Sequence, residues 1–100
     1  MAYRYALAEH GLTLATRPFG RELRDDLVER AAGEGRLELD FSGVLSVSHS
    51  FVDELVARLA QESQAGAVDF EVAVLGTTPE VDAVIRRALG RREAQLAQAA

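Results

Sequence analysis

The amino-acid sequence predicts an α/β layer fold with the element order β-β-α-β-α-β-α. Segments that alternate apolar and polar residues take turns with segments whose apolar residues recur every three or four positions. Two of the alternating segments are apolar on one face only. Strands of a doubly wound sheet are apolar on both faces, so helices are expected on one side of this sheet. The other side is left to water or to a partner, a second copy of the chain being one candidate. The length of 100 residues and a hydrophobic content of 48% fit a single domain, 1–100, with one core.

The elements follow in order. In "YRYALA", Tyr3, Tyr5 and Leu7 point one way and Arg4 the other, the period of a half-buried strand. "EHG" reads as a turn and "LTLAT" as a second short strand, so the two are expected to form a hairpin. Thr16 is a helix cap and Pro18 suits the first helical turn. Phe19, Leu23, Leu27 and Ala31 then repeat at helical spacing, and "AAGEG" ends the helix at Gly33 or Gly35.

In "RLELDF", Leu37, Leu39 and Phe41 oppose Arg36, Glu38 and Asp40. In "DFEVAVLG", Phe70, Val72 and Val74 oppose Asp69, Glu71 and Ala73. Between them, a helix carries Phe51, Leu55, Val56 and Leu59 on one stripe. The last helix begins near Pro79 with Thr77 or Thr78 as its cap, and buries Val81, Val84, Ile85, Ala88 and Leu89. Gly90 weakens it by about 1 kcal/mol relative to alanine. The closing "EAQLAQAA" either continues that helix or frays.

Composition removes several function classes. The chain has no cysteine, which excludes disulfides and thiolate chemistry. Every basic residue is arginine, so no lysine is present for a Schiff base or a phosphate loop. Heavy use of alanine and arginine matches GC-rich bacterial coding. No apolar run approaches the length that spans a membrane, and "MAYRYALAEH" lacks the shape of a signal peptide, so a cytoplasmic location is expected. The net charge of −5 repels phosphate backbones, so no nucleic-acid partner is expected. Against that background "RRALGRRE" gathers Arg86, Arg87, Arg91 and Arg92. They form either a solvated helix face suited to the helix dipole or an anion-binding patch.

The most informative stretch is "DFSGVLSVSHSFVDEL", residues 40–55. Asp40, His49 and Ser50 supply the side-chain types of a hydrolase triad, but neighbours in sequence point apart, so His49 is badly placed to activate Ser48 or Ser50. No Gly-x-Ser-x-Gly elbow is present. His49 and Asp53 share a helix face without the further ligands a metal needs, so neither metal nor cofactor is expected. The plain role of the serines is structural: Ser48 or Ser50 caps the helix, Ser50-x-x-Asp53 resembles a capping box, and Asp53 and Glu54 complement the helix dipole. Ser42 and Gly43 form a turn into which Asp40 hydrogen-bonds.

This stretch resembles the signature of the STAS-like domain family (DUF4325), close to "lDFsGV.svt.SFaDEl". Asp40, Phe41, Gly43, Val44, Ser50, Phe51, Asp53, Glu54 and Leu55 fall in place without gaps. "TRPFGRELRDDL" fits the arginine-plus-helix segment of that family, and the resemblance runs from Thr16 to Leu89. It implies a mixed four-stranded sheet with helices mainly on one face.

It also implies kinship with the anti-sigma factor antagonists, in which a serine at a helix start is phosphorylated by a histidine-kinase-like ATPase. Ser50 falls on that serine, while Phe51 stands where the antagonists carry glycine. The function this implies is a non-catalytic regulatory interaction module with such an ATPase as partner. Ser48, His49, Asp53 and Glu54 would form an exposed polar patch that docks on a partner arginine. The alternative is a sensor that holds a small ligand or nucleotide at the serine turn and helix N-terminus.

Overall fold

A computed structural model describes residues 1–99, with side chains to residue 94. Strand β1 (Ala2–Ala6) ends in a 3-10 turn, Leu7–His10, and is followed by β2 (Thr13–Leu14). Helix α1 (Arg17–Ala31) leads to β3 (Arg36–Asp40) and β4 (Ser46–Val47). Helix α2 (His49–Val52) passes without a break through a π-helical turn, Asp53–Ala57, into α3 (Arg58–Gln64). β5 (Glu71–Leu75) and α4 (Pro79–Ala99) complete the chain. The helical reading of "EAQLAQAA" therefore holds as far as Ala99, and Ala100 lies outside the described residues.

Strands β1, β3 and β5 form one parallel sheet in the order β1-β3-β5. In register, Tyr3, Leu37 and Val72 lie side by side, as do Tyr5, Leu39 and Val74. This apolar face meets the helices: Leu37 and Leu39 are fully buried with Leu27, Leu55, Leu59 and Val81 in one core. The opposite face carries Arg4, Arg36, Glu38 and Asp40, and Arg4 approaches Asp40 at 3.5 Å. The alternation in β3 thus reports a real inside and outside.

Two sequence expectations are corrected. The sheet is not a mixed four-stranded one: three strands pair in one sheet, and β2 and β4 form a separate parallel pair. Nor do β1 and β2 form a hairpin. The 3-10 turn and Gly11, at φ 136°, carry the chain away from β1. The backbone of β2 is then engaged elsewhere. The Leu12 carbonyl accepts from the amides of Leu45 and Ser46, and the Leu14 carbonyl accepts from Ser48. Beyond that, β1 takes β3 as its parallel neighbour.

The helix starts follow the sequence. Thr16 Oγ1 accepts from the Phe19 amide at 3.3 Å, and Thr78 Oγ1 accepts from Val81 at 3.1 Å. No helix among the described residues is long and apolar enough to cross a membrane.

Candidate functional site

The stretch 40–55 divides into a turn and a helix entry. At the turn, Asp40 Oδ1 accepts from the Ser42 amide at 3.0 Å, as the sequence predicted. Hydrogen bonds from the Ser42 side chain and amide hold the Asp40 carboxyl below its usual value. Gly43 adopts φ 86°, and the Val44 amide closes the turn on the Phe41 carbonyl at 2.9 Å. The turn lies against Gly76, where a Cβ would collide with Ser42 Oγ and come within 2.8 Å of the Ser42 amide nitrogen. Only glycine allows that approach, and Gly76 also needs it for its own φ of 71°.

At the helix entry, Ser48 is the cap. Its Oγ accepts from the Phe51 amide at 3.0 Å and donates to the Ala15 carbonyl. Ser50 lies two residues further on, half-buried in the first turn, and among the described residues its hydroxyl takes no hydrogen bond. The Ser50–Asp53 capping box does not form, because Ser48 already satisfies the amide three residues ahead of it and Asp53 is drawn elsewhere. Leu12 and Leu45, joined through their backbones, precede β2 and β4 at the opposite end of that strand pair from the one at which this helix departs, and they are 51% and 65% exposed.

The two acids of the stretch are not an exposed patch. Glu54 is 2% exposed, at the π turn, and its carboxylate meets three guanidinium groups: Arg24 of α1, Arg17 at 3.2 Å and Arg58 at 3.2 Å. Arg24, 9% exposed, also donates to the Glu54 carbonyl at 2.9 Å. Asp53 is gripped by both ends of the Arg92 fork, each at 2.8 Å, and by Arg17 at 2.9 Å. A partner arginine therefore finds these carboxylates already taken by arginines of the same chain. Bonds to Arg17, Arg24, Arg58 and Arg92 gather three elements of the fold, α1, α3 and α4, around one turn of helix. π turns of this kind recur at functional sites.

The arrangement shifts both acids the same way. Burial pushes the Glu54 carboxyl up, but the bonds from Arg24 and Arg17 outweigh it and the net direction is down. The Arg92 bonds bring Asp53 to about 2, against the opposing effect of burial and with help from Arg17. A carboxyl with a lower pKa folded than unfolded loses stabilising power as it is protonated. The contribution of Asp53 is complete above about pH 4, the unfolded range, and is lost as pH falls towards its folded value of about 2. Acid titration of the fold should therefore show a stability loss in this window that is reduced in Asp53→Asn. An identical acid limb in the variant would remove Asp53 as its source.

The arginines of α4 do not act together. Arg86 pairs with Asp82 one turn earlier at 2.7 Å, Arg87 and Arg91 are exposed, and only Arg92 turns inward, to Asp53 and Gln61. His49 and Asp53 form no metal cluster with other groups among the described residues. Sequence reasoning did not single out Arg17, Arg24 and Arg58. The available signal was spacing: Arg17 and Arg24 share a face of α1 with Gly20 between them, and Arg58 follows Glu54 by one turn.

A parallel sheet with helices packed on its apolar face, and a helix entry capped by serine, make an α/β domain consistent with a STAS-like fold. Residues 20–82 match the family described as a STAS-like domain of unknown function (DUF4325), and the chain belongs to that family. No curated protein matches the chain. No solved structure matches it either.

Proposed function

We propose that the chain is a non-catalytic regulatory module that binds a histidine-kinase-like ATPase, in the manner of anti-sigma factor antagonists. Its binding face is the entry of α2, with Ser48, His49 and Ser50 at its centre. The observation that carries this reading is the state of Ser50. Capping needs one serine and Ser48 provides it, while Ser50 stands half-buried in the first turn with its hydroxyl uncommitted among the described residues.

Affinity capture with wild type and Ser50→Asp, read by intact mass and partner identification, tests this. Wild type should recover an ATPase, and Ser50→Asp should reduce recovery by about tenfold, as charge placed in a docking face does. Capture that yields no ATPase overturns the reading.

A second reading, sensing of a small ligand or nucleotide, is favoured by a different place. A cleft of about 340 Å³ between β1 and α1 is lined by Tyr3, Arg4, Tyr5, His10, Asp26 and Arg30. A thermal-shift series with nucleotides separates the two readings: a saturable rise in melting temperature supports the sensor.

A further inference from the structure

The ion cluster at the π turn carries more positive than negative charge. Four guanidinium groups, of Arg17, Arg24, Arg58 and Arg92, surround the two carboxylates of Asp53 and Glu54. The surplus sits on a chain whose net charge is −5. Arg24 and Arg92 are largely buried; Arg24 bonds Glu54 through Nη1, and Arg92 uses Nε, Nη1 and Nη2 inside the fold. Arg17 and Arg58 differ in exposure. Each bonds the cluster through Nη1 alone among the described residues, and their side chains are 40% and 41% exposed. A guanidinium has five N–H donors in a planar fork, so each keeps a free edge towards solvent.

Both of these groups bond the same Glu54 carboxylate, which brings the two guanidinium groups together at the starts of α1 and α3. Arg21, one turn along α1 from Arg17, is exposed and makes no ion pair among the described residues. Asp25 and Glu62, one turn past Arg21 and Arg58, bound the patch.

We infer that this face, formed by Arg17, Arg21 and Arg58, docks a carboxylate-rich segment of a protein partner. This reverses the sign that the motif acids suggest, because Asp53 and Glu54 are already neutralised from within and arginine is what faces outwards. The site is open rather than enclosed, which suits side chains presented by a macromolecule more than a small free anion. The negative chain as a whole opposes a long polyanion such as nucleic acid, so attraction is local and short-ranged. The inference rests on the interaction-module reading and names the chemistry of its partner.

The test is a heteronuclear NMR titration of the 15N-labelled full chain with hexaglutamate, with hexaserine as control. Saturable shifts should appear at the Nε–H signals of Arg17, Arg21 and Arg58 and at the amides of the π turn, with hexaserine inert. Affinity should fall several-fold between 50 and 200 mM salt, as screening requires. Arg17→Gln with Arg58→Gln should weaken binding by about tenfold. Arg21 makes no hydrogen bond or ion pair among the described residues, so Arg21→Gln should leave the fold intact and weaken binding by about twofold, which keeps the test valid if the double variant is poorly folded.

Absence of saturable shifts with hexaglutamate, or shifts centred on Arg86, Arg87 and Arg91 instead, overturns the inference. Because the probe is not the natural partner, this result is independent of the capture experiment. An ATPase captured through Ser50 whose binding ignores Arg17→Gln, Arg21→Gln and Arg58→Gln overturns the inference while leaving the interaction module in place.

Discussion

Glu54→Ala is expected to destabilise the fold by about 3–5 kcal/mol, because it strands a buried cation. Arg24 is 9% exposed, and the Glu54 carboxylate is its only charged partner among the described residues. The Glu54 carbonyl would still accept one of its bonds, but a backbone dipole does not neutralise a guanidinium. Domains of this size have a total stability of about 5–15 kcal/mol, so the variant should be only marginally folded. The midpoint of a urea titration should fall with the slope unchanged. Glu54→Gln keeps the shape and one acceptor and should lose less. The pair Arg24→Leu with Glu54→Leu removes both charges together and should recover most of the loss, since the cost lies in breaking the pair rather than in lacking it. A shift worth under about 1 kcal/mol in Glu54→Ala would instead mean that water screens the cluster as it does a surface ion pair.

That cluster also marks the limit of what the sequence revealed. Locally encoded features were legible: the Thr16 and Thr78 caps, the inside and outside of β3, the Asp40–Ser42 turn and the serine cap of α2. Each depends on residues within a few positions of one another. The partners of Asp53 and Glu54 do not. Arg24 lies 30 residues away, Arg17 lies 36 residues from Asp53, and Arg92 lies 39. A pair of acids in a helical first turn looks solvated until three other elements close on it.

The same reason hid β4 and misplaced β2. A two-residue strand has no period to detect, and its existence rests on Leu12 and Leu14 carbonyls more than thirty residues earlier. The hairpin expectation failed because neighbouring strands with a short gap usually pair, whereas here a 3-10 turn and Gly11 intervene. The STAS-like motif survived these errors because its residues define the turn and helix entry, which are local, and not the pairing of the first strands.

Phe51→Ala should cost about 3–5 kcal/mol, a loss comparable to that of Glu54→Ala but of different origin. Phe51 is fully buried, with its ring centroid 6.0 Å from that of Phe19. It fills the seam where α1 crosses α2 at closest approach. A Cβ on Gly20 would come within 2.9 Å of the Phe51 carbonyl oxygen and 3.3 Å of Glu54 Cβ. Two backbones this close leave no room to collapse around a missing ring, so the cavity term should persist in full. Phe51→Leu keeps most of the volume and should lose less than about 1.5 kcal/mol.

The consequence for the site is separate from the global loss. Phe51 follows Ser50 directly, and its amide is the one that Ser48 caps. Removing the ring leaves that backbone bond but frees the first turn from its anchor in the core. Amide exchange at residues 49–53 should therefore accelerate more in Phe51→Ala than the fall in global stability accounts for, whereas Glu54→Ala should accelerate it only in proportion. Uniform acceleration in both variants would mean that the ring holds the core alone and that Ser48 suffices to fix the helix entry. Excess acceleration confined to the first turn would make Phe51 the residue that keeps Ser50 in a fixed position for its partner.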